Sequence, residues 1–346
     1  NSTHIASPLT FGEISGHPVA VDMWEEIHDW NVEHIALATW ADAYIVVPAT
    51  ANVIGKIRAG IADDMLTTTF MACECKKIVS PAMNTRMFNN PVVKDNMKKL
   101  ESYGIDVINP ASGYLACGDT GEGKMPEPEV LLSYILRELA HEKDMKGLKV
   151  CVTAGPTRET IDPVRFISNR STGKMGFALA KNAMERGADV TLVSGPVELK
   201  DVPFVKMVHV ESARQMFEAV TKEAETADII VKAAAVADYR PAVVADEKIK
   251  KKDGDMSIAL ERTDDIIGTL GKTKRDNLFL CGFSMETEHM LENSKAKLEK
   301  KNLDMIIANN VKVKGAGFGT DTNVVTLITK DEIKELPIMS KEDVAD

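Results

Sequence analysis

The sequence has no surplus of positive charge: 42 Lys and Arg stand against 52 Asp and Glu, a formal charge of −10. That balance argues against nonspecific binding to nucleic acid or anionic lipid, and leaves room only for a local basic pocket. No apolar run approaches the roughly 20 residues that cross a bilayer, and no signal peptide is visible, so a cytoplasmic protein is expected. Cysteine is scarce. The five (Cys73, Cys75, Cys117, Cys151 and Cys281) are odd in number and form no CxxC pair, which points away from a disulfide framework or zinc site and toward a reducing compartment. No period of about 20–50 residues repeats, which excludes a solenoid. No GxGxxG follows a strand, so an NAD(P)-dependent oxidoreductase falls behind, and the GxxxxGK[ST] spacing of a P-loop is also missing.

What is present is alternation. At 346 residues, 44% hydrophobic and 27% charged, the chain is ordinarily globular and long enough for two domains. In the first half, residues 43–47 (AYIVV), 77–80 and 105–108 read as short buried strands, and 52–60, 94–103 and 128–141 as helices. In the second half, strands are expected at 150–153, 190–194, 229–233, 278–283, 305–308 and 324–328, with helices at 174–186, 212–227 and 288–301. Short apolar strands separated by helices predict an α/β protein with two doubly wound, mainly parallel sheets. The polar stretch 141–146 is the linker candidate, between domains at 1–143 and 146–346, and residues 248–255 (KIKKKDGD) read as an exposed hairpin or flap. The chain opens at Asn1 without Met, and Ser340-Lys-Glu-Asp near its end reads as an N-cap with no helix behind it, so both ends are expected to be trimmed.

Residues 152–176 (VTAGPTRETIDPVRFISNRSTGKMG) say most about chemistry. A strand runs through a Gly-Pro turn and a loop with Arg158 and Arg165, then Asn169 to Gly176 open a helix. Free backbone N–H groups and the positive end of a helix dipole then meet at one point, where an α/β protein holds phosphate. Asp238, after a buried strand, is a candidate oxygen ligand for a hard cation such as Mg2+, or part of an ordinary strand-to-turn transition. Lys248, Lys250, Lys251 and Lys252 suit a triphosphate or a charge-rich transition state, or else form a solvated hairpin. Lys297 and Lys301, at i and i+4, share one helix face.

In the first half, PATAN at 48–52 and PAMN at 81–84 fall at strand C-terminal ends, where ligands dock in open sheets. Asn52 would cap the following helix beside a phosphate or flavin edge, and Asn84 would bind a carboxylate or amide; either could be a cap and nothing more. His34 is one of seven histidines and could be structural. Cys117, in GYLACG, could be inert or could move over a site as a proton donor.

Taken together, His34-Ile with Leu37-Ala38, PATAN, PAMN with Met87, and ACGD at 116–119 resemble the flavin-containing cysteine decarboxylases. TAGPTRE, DPVRFISNRSTGKMG, AAAVADYRP and EKIKK, in that order, resemble phosphopantothenate–cysteine ligases. Both in one chain resemble the bifunctional coenzyme A biosynthesis family. The resemblance implies a flavodoxin-like domain of the homo-oligomeric flavin-containing cysteine decarboxylase type, whose opening strand and Ser-Gly-Gly-Ile-Ala turn would precede Asn1, followed by a Rossmann-like ligase domain. It implies decarboxylation of 4'-phosphopantothenoylcysteine with FMN and no net redox change. His34 would be base or orienter, Asn84 would bind the substrate carboxylate, Cys117 would donate a proton, and Thr50, Asn52 and Met83 would contact FMN. For the second half it implies CTP-dependent activation of 4'-phosphopantothenate through an acyl-cytidylate, followed by attack of the cysteine amine. Arg165 and Asn169 would hold substrate or intermediate, and Asn169 and Lys248 would be catalytic. Ala234, Asp238, Lys248 and Asp265 would line the CTP site with Ile266, Phe283, Lys297 and Lys301; Asp238 would also meet Mg2+. The usual Asn-Pro-Asp is here Thr263-Asp-Asp265. A homo-oligomer is implied, trimeric through the flavin domains and dimeric through the ligase domains. The alternatives are a fragment with ligase activity alone and a noncatalytic regulatory relative, whose long acidic tail is missing.

Overall fold

The structure, a computed structural model, describes residues 1–346 except 1–5, 25–31, 115–117, 119, 252–254, 287–289, 311–316 and 318. The chain forms two compact units, Asn1–Leu139 and Ala140–Asp346.

The first unit runs α1 (Pro8–Ser15), α2 (Glu33–Trp40), β1 (Ala43–Ala49), α3 (Ala51–Ala59), α4 (Met65–Ala72), β2 (Lys76–Pro81), α5 (Thr85–Phe88), α6 (Pro91–Ser102), β3 (Asp106–Val107), β4 (Ala111–Tyr114), β5 (Thr120–Lys124) and α7 (Pro128–Leu139). Strands β1, β2 and β3 pair in that order, all parallel. One face buries Val46, Val79 and Ile54 with Phe70 and Leu100; the other buries Ile78 against Ile108 and Leu131. Apolar cover on both faces is why the strands read as continuous apolar runs. Helix α3 begins at a Thr50 cap, whose hydroxyl accepts from Val53 N–H, and ends at Gly60 in the left-handed region. Thr50 thus takes the capping place expected of Asn52, which lies exposed in the first turn. Both residue types cap well, and the backbone turns at Thr50.

The second unit runs β6 (Lys149–Ala154), β7 (Arg158–Thr160), β8 (Phe166–Ser168), α8 (Lys174–Glu185), β9 (Asp189–Ser194), β10 (Lys206–His209), α9 (Ala213–Ala224), β11 (Ile229–Lys232), β12 (Tyr239–Pro241), β13 (Leu260–Arg262), α10 (Ile266–Lys272), β14 (Phe279–Glu286), α11 (Met290–Lys300), β15 (Met305–Asn310), β16 (Thr322–Asn323), β17 (Val325–Thr329), β18 (Ile333–Glu335), β19 (Met339–Ser340) and α12 (Lys341–Ala345). Its main sheet has the order β10-β9-β6-β11-β14-β15-β17-β18. The pairs from β10 to β15 are parallel, and β17 and β18 join antiparallel. The strand expected at 324–328, β17, is therefore antiparallel and lies between β15 and the edge strand β18. Val150, Val152 and Leu192 face α8, while Ile230, Leu280 and Met216 fill the opposite layer with α9 and α10. Complete burial of one such aliphatic side chain contributes roughly 1.5–3 kcal/mol.

Three features depart from the simple alternation. The loop 155–173 carries the small β7/β8 hairpin, with Glu159 buried and accepting from Ala213 N–H at 2.9 Å, so that it serves the N-terminus of α9 from outside that helix. The expected flap at 248–255 lies between β12 and β13, which pair antiparallel and form its base; its described residues are irregular. The linker candidate packs on the second unit: Lys143 donates to the Glu185 carbonyl, and Arg186 pairs with Asp144.

Helix α8 lies unusually close to β6. A Cβ at Gly176 would stand 2.6 Å from Ala154 Cβ and 2.8 Å from the Thr153 carbonyl oxygen, so only glycine fits. Gly176→Ala is expected to force α8 outward and cost about 1–3 kcal/mol, measured as a lower midpoint in urea unfolding of the whole chain; an unchanged midpoint would contradict this packing.

Candidate functional site

The C-terminal ends of β6 and β11 continue past their last strand residues as a seam. Beyond the Lys232↔Thr153 pair, Ala234 N–H donates to Thr153 Oγ1 at 3.1 Å and Ala235 N–H to the Gly155 carbonyl at 2.9 Å. Ala237 N–H donates to Thr157 Oγ1 at 3.0 Å. Asn169 clips this seam from the side, its Nδ2 donating to the Ala235 carbonyl at 2.9 Å, while Ser168 Oγ donates to the Thr157 carbonyl. The two segments that stood out in the sequence, TAGPT at 153–157 and AAAVAD at 233–238, are thus one built element.

Two cavities flank it. One, about 280 Å³, lies between the N-terminal turn of α8, where Gly173 (φ 80°) is the N-cap, and Ala234, Phe283, Asn309, Asn323 and Lys341. The other, about 340 Å³, is walled by Asp265, Ile266, Arg262 and Lys301. Lys232, Val236 and Asp238 line both. Among the residues expected at a nucleotide site, Ala234, Asp238, Asp265, Ile266, Phe283 and Lys301 therefore line these adjoining spaces. Lys297 and Lys248 are exposed and line neither.

Electrostatics set the cation positions. Asp265 caps α10 through Gly268 N–H at 3.0 Å and pairs with Lys301 at 3.0 Å. Burial would raise its carboxyl, but the Gly268 N–H and the Lys301 ammonium outweigh this and hold it below the usual value. Lys174 pairs with Asp321 at 2.6 Å. Lys341, 4% exposed, donates to the carbonyls of Gly317 and Thr320; burial and then the Lys174 charge push its ammonium down. Asp238 is exposed, and among the described residues no group of three His, Cys, Asp or Glu is arranged to hold a metal. A divalent cation here would take one protein oxygen from Asp238 and the rest from its ligand or water, which suits Mg2+.

Arg165 has an internal partner. Its guanidinium grips Asp162 Oδ2 at 2.6 and 3.0 Å and donates to the Ile249 carbonyl at 2.8 Å. Asp162, 1% exposed, also accepts from the backbone N–H groups of Val164, Arg165 and Ile249. The Arg165 guanidinium holds the Asp162 carboxyl well below the usual carboxylate range. Its contribution to stability is thus complete above its unfolded-state pKa, about 4, and is lost only as pH falls through the lower folded value. The clasp fixes Ile249, next to Lys248, at the root of the lysine segment.

In the first unit, PATAN and PAMN meet: Ala82 N–H donates to the Ala49 carbonyl at 2.9 Å. The exposed N-terminus of α3, with Thr50 and Asn52, therefore lies beside the turn of Met83 and Asn84. Asn84 caps α5 through Arg86 N–H at 2.8 Å. The β4/β5 hairpin presses on this turn. Met83 N–H donates to the Gly123 carbonyl, Thr85 Oγ1 to the Glu122 carbonyl, and a Cβ at Gly123 (φ 123°) would lie 2.2 Å from the Met83 carbonyl oxygen. Cys117, expected in a glycine-flanked loop as a proton donor, lies outside the described residues. His34 is half-buried near the start of α2, which packs on α4; the described contacts do not join it to Asn84. A helix N-terminus beside an Asn turn supplies N–H donors that fit an anionic cofactor such as FMN.

Sequence reasoning missed Lys232, Lys341, Lys174, Asn309 and Asn323, all of which line the first cavity. Lys174 lies inside the helix-opening stretch 169–176, and Lys232 also carried a readable signal: it ends an apolar strand (IIVK) two residues after Ile230, on the core-facing side.

Comparison with known proteins gives this architecture a family. The family model for the DNA/pantothenate metabolism flavoprotein C-terminal domain matches residues 145–346, and that for flavoprotein matches residues 1–140. Coenzyme A biosynthesis bifunctional protein CoaBC of Bacillus subtilis (strain 168) is 49% identical over 100% of this chain and 86% of its own length. A cysteine/cysteine sulfinic acid decarboxylase from an unknown prokaryotic organism is 44% identical over 98% of this chain and 96% of its own length. The crystal structure of the C-terminal domain of a coenzyme A biosynthesis bifunctional protein CoaBC superposes with a TM-score of 0.50 at 45% identity, covering 58% of this chain and 91% of that one. The protein is an α/β enzyme whose first unit matches the flavoprotein family and whose second matches the C-terminal domain of DNA/pantothenate metabolism flavoproteins. It belongs to the family of bifunctional coenzyme A biosynthesis proteins, which join a ligase and a decarboxylase activity in one chain.

The two duties of Asp265 are separable. Asp265→Asn keeps an N-cap but loses the Lys301 pair, whereas Asp265→Ala loses both. Only Ala is expected to lower stability clearly, by about 1 kcal/mol, read by thermal unfolding; equal losses would show that the ion pair, not the cap, holds α10.

Proposed function

We propose that the second unit activates 4'-phosphopantothenate with CTP across the two adjoining cavities. A carboxylate oxygen attacks the α-phosphorus, the Pα–O–Pβ bond breaks, and pyrophosphate leaves with its charge neutralised. The cysteine nitrogen then attacks the acyl carbon, the bond to the phosphate oxygen breaks, CMP leaves, and the amine loses a proton. Such transfers depend on alignment and charge stabilisation rather than a protein nucleophile. The carrying observation is the common wall of the cavities, where Lys232, Val236 and Asp238 end the β6/β11 seam.

Asp265, Ile266 and Lys301, with Lys297 on the neighbouring helix, bind the nucleotide from one side, and Ala234 and Phe283 from the other. Asp238 meets the phosphates with Mg2+. Asn169 holds the Ala235 carbonyl and faces the acyl group. Arg165 sets the root of the lysine segment through Asp162, and Lys248 closes on the reacting phosphate. In the first unit FMN, when bound, supplies the electron chemistry that allows CO2 to leave 4'-phosphopantothenoylcysteine. Thr50, Asn52 and Met83 hold it, Asn84 orients the substrate carboxylate, His34 acts as base or orienter, and Cys117 returns a proton. Exposed apolar side chains on the first helices, among them Leu9, Phe11, Ile14 and Trp40, support assembly into a homo-oligomer, trimeric through these units and dimeric through the ligase units. Cytoplasmic residence suits these substrates and the free cysteines Cys73 and Cys75.

The test is pyrophosphate release dependent on CTP, 4'-phosphopantothenate and cysteine, alongside absorbance in the flavin bands. Absence of release would remove the ligase reading. A colourless protein that still releases pyrophosphate would confine function to the second unit, and CO2 release from free cysteine would redirect the first unit's substrate. Asn169→Asp faces the Ala235 carbonyl with a second acceptor and is expected to lower turnover about 100-fold or more with the fold intact by circular dichroism. Lys248→Gln is expected to do the same by removing the charge. Wild-type turnover in either variant would take that residue out of the site.

A further inference from the structure

Lys232 is a charged residue in an apolar row. It ends β11 on the same face as Ile230, whose partners across the sheet are Cys151 and Leu280, and all three belong to the buried core of that layer. A residue there belongs to the core by position, yet Lys232 is only half-buried and its side chain lines both cavities. Its partner on β14 is Gly282, which places no side chain beside it. It makes no hydrogen bond or ion pair among the described residues, because the nearby carboxylates are otherwise disposed: Asp265 is taken by Lys301, and Asp238 is exposed. Burial, then the Lys301 charge and least the Lys297 charge, disfavour its ammonium form, with Asp238 and Asp265 offsetting only part of this. An unpaired ammonium held where it costs stability points to a ligand anion.

We propose that Lys232 is a further phosphate-binding residue of this enzyme, contacting the nucleotide phosphates where they cross from one cavity to the other. This rests on the nucleotide reading above and adds to it the place where the phosphates lie. A bound polyanion satisfies the ammonium and relieves its repulsion by Lys301 and Lys297. Position on a rigid central strand, rather than on the lysine segment, makes it a fixed part of the site in the resting enzyme.

The experiment compares CTP and cytidine binding to the full chain by calorimetry for wild type, Lys232→Met, Lys232→Gln and Lys232→Arg, each checked by circular dichroism. Loss of one charge-assisted phosphate contact is expected to weaken CTP about 10- to 100-fold in Met and Gln, leave cytidine unchanged, and be partly restored in Arg. A merely structural lysine would weaken cytidine and CTP alike, and that result overturns the proposal. Wild-type CTP affinity in a folded Met or Gln variant overturns it too, while leaving the nucleotide reading intact. If Met does not fold, Gln and Arg decide by the same comparison. A wild-type chain that binds no CTP overturns both.

Discussion

The site depends on one seam of hydrogen bonds. Parallel strands normally diverge into loops at their C-terminal ends, and β6 and β11 instead stay paired through residues 153–157 and 234–237. Threonine hydroxyls replace backbone carbonyls as acceptors where the ladder would otherwise end. Asn169 closes the seam by reaching from the loop after β8, so the glycine-bearing loop, the start of α8 and the end of β11 are held in one frame. The two cavities exist because this frame projects between them as a wall. Gly176 sets how near α8 can come, and a single methyl group there would shift the frame and the cavity together.

The first unit uses the same device on a smaller scale. Strand ends β1 and β2 are tied by Ala82 to Ala49, and the hairpin that follows is pressed onto the Asn84 turn through positions that admit no Cβ. In both units a helix N-terminus is left facing outward at the carboxyl edge of a parallel sheet, where open α/β sheets take their ligands.

Much of this was legible in the sequence. Continuous apolar runs such as 43–47 and 150–153 marked strands, the second fully buried because both its faces are covered, the first only partly, with Val47 exposed. Helix α9 was readable from Ser212, which forms a capping box with Gln215. The three-residue strands β7, β8, β12 and β13 were not, since so short a stretch carries no usable period. The antiparallel turn to β17 and β18 depends on pairing choices between distant segments. Within the site, Asp238 could be singled out because a carboxylate near a phosphate site suggests a role, and Asp265 only through the family resemblance. Lys341 and Asn323 could not, because only the folding of the last part of the chain onto α8 brings them to the cavity. Arg165 could be read as a cation of the phosphate loop, but its buried partner Asp162, three residues away, could not, because an acidic residue in a loop gives no sign of burial.

The lysines around the first cavity have a consequence for how a ligand arrives. Lys174, Lys232 and Lys341 converge there in a chain whose overall charge is −10. A polyanion is repelled by the net negative charge of the chain and drawn locally by these ammonium groups. Field lines focused through a low-dielectric cleft raise the local concentration of such a ligand and speed capture. Because the attraction acts mainly before contact, dissolved salt would slow encounter far more than it hastens departure.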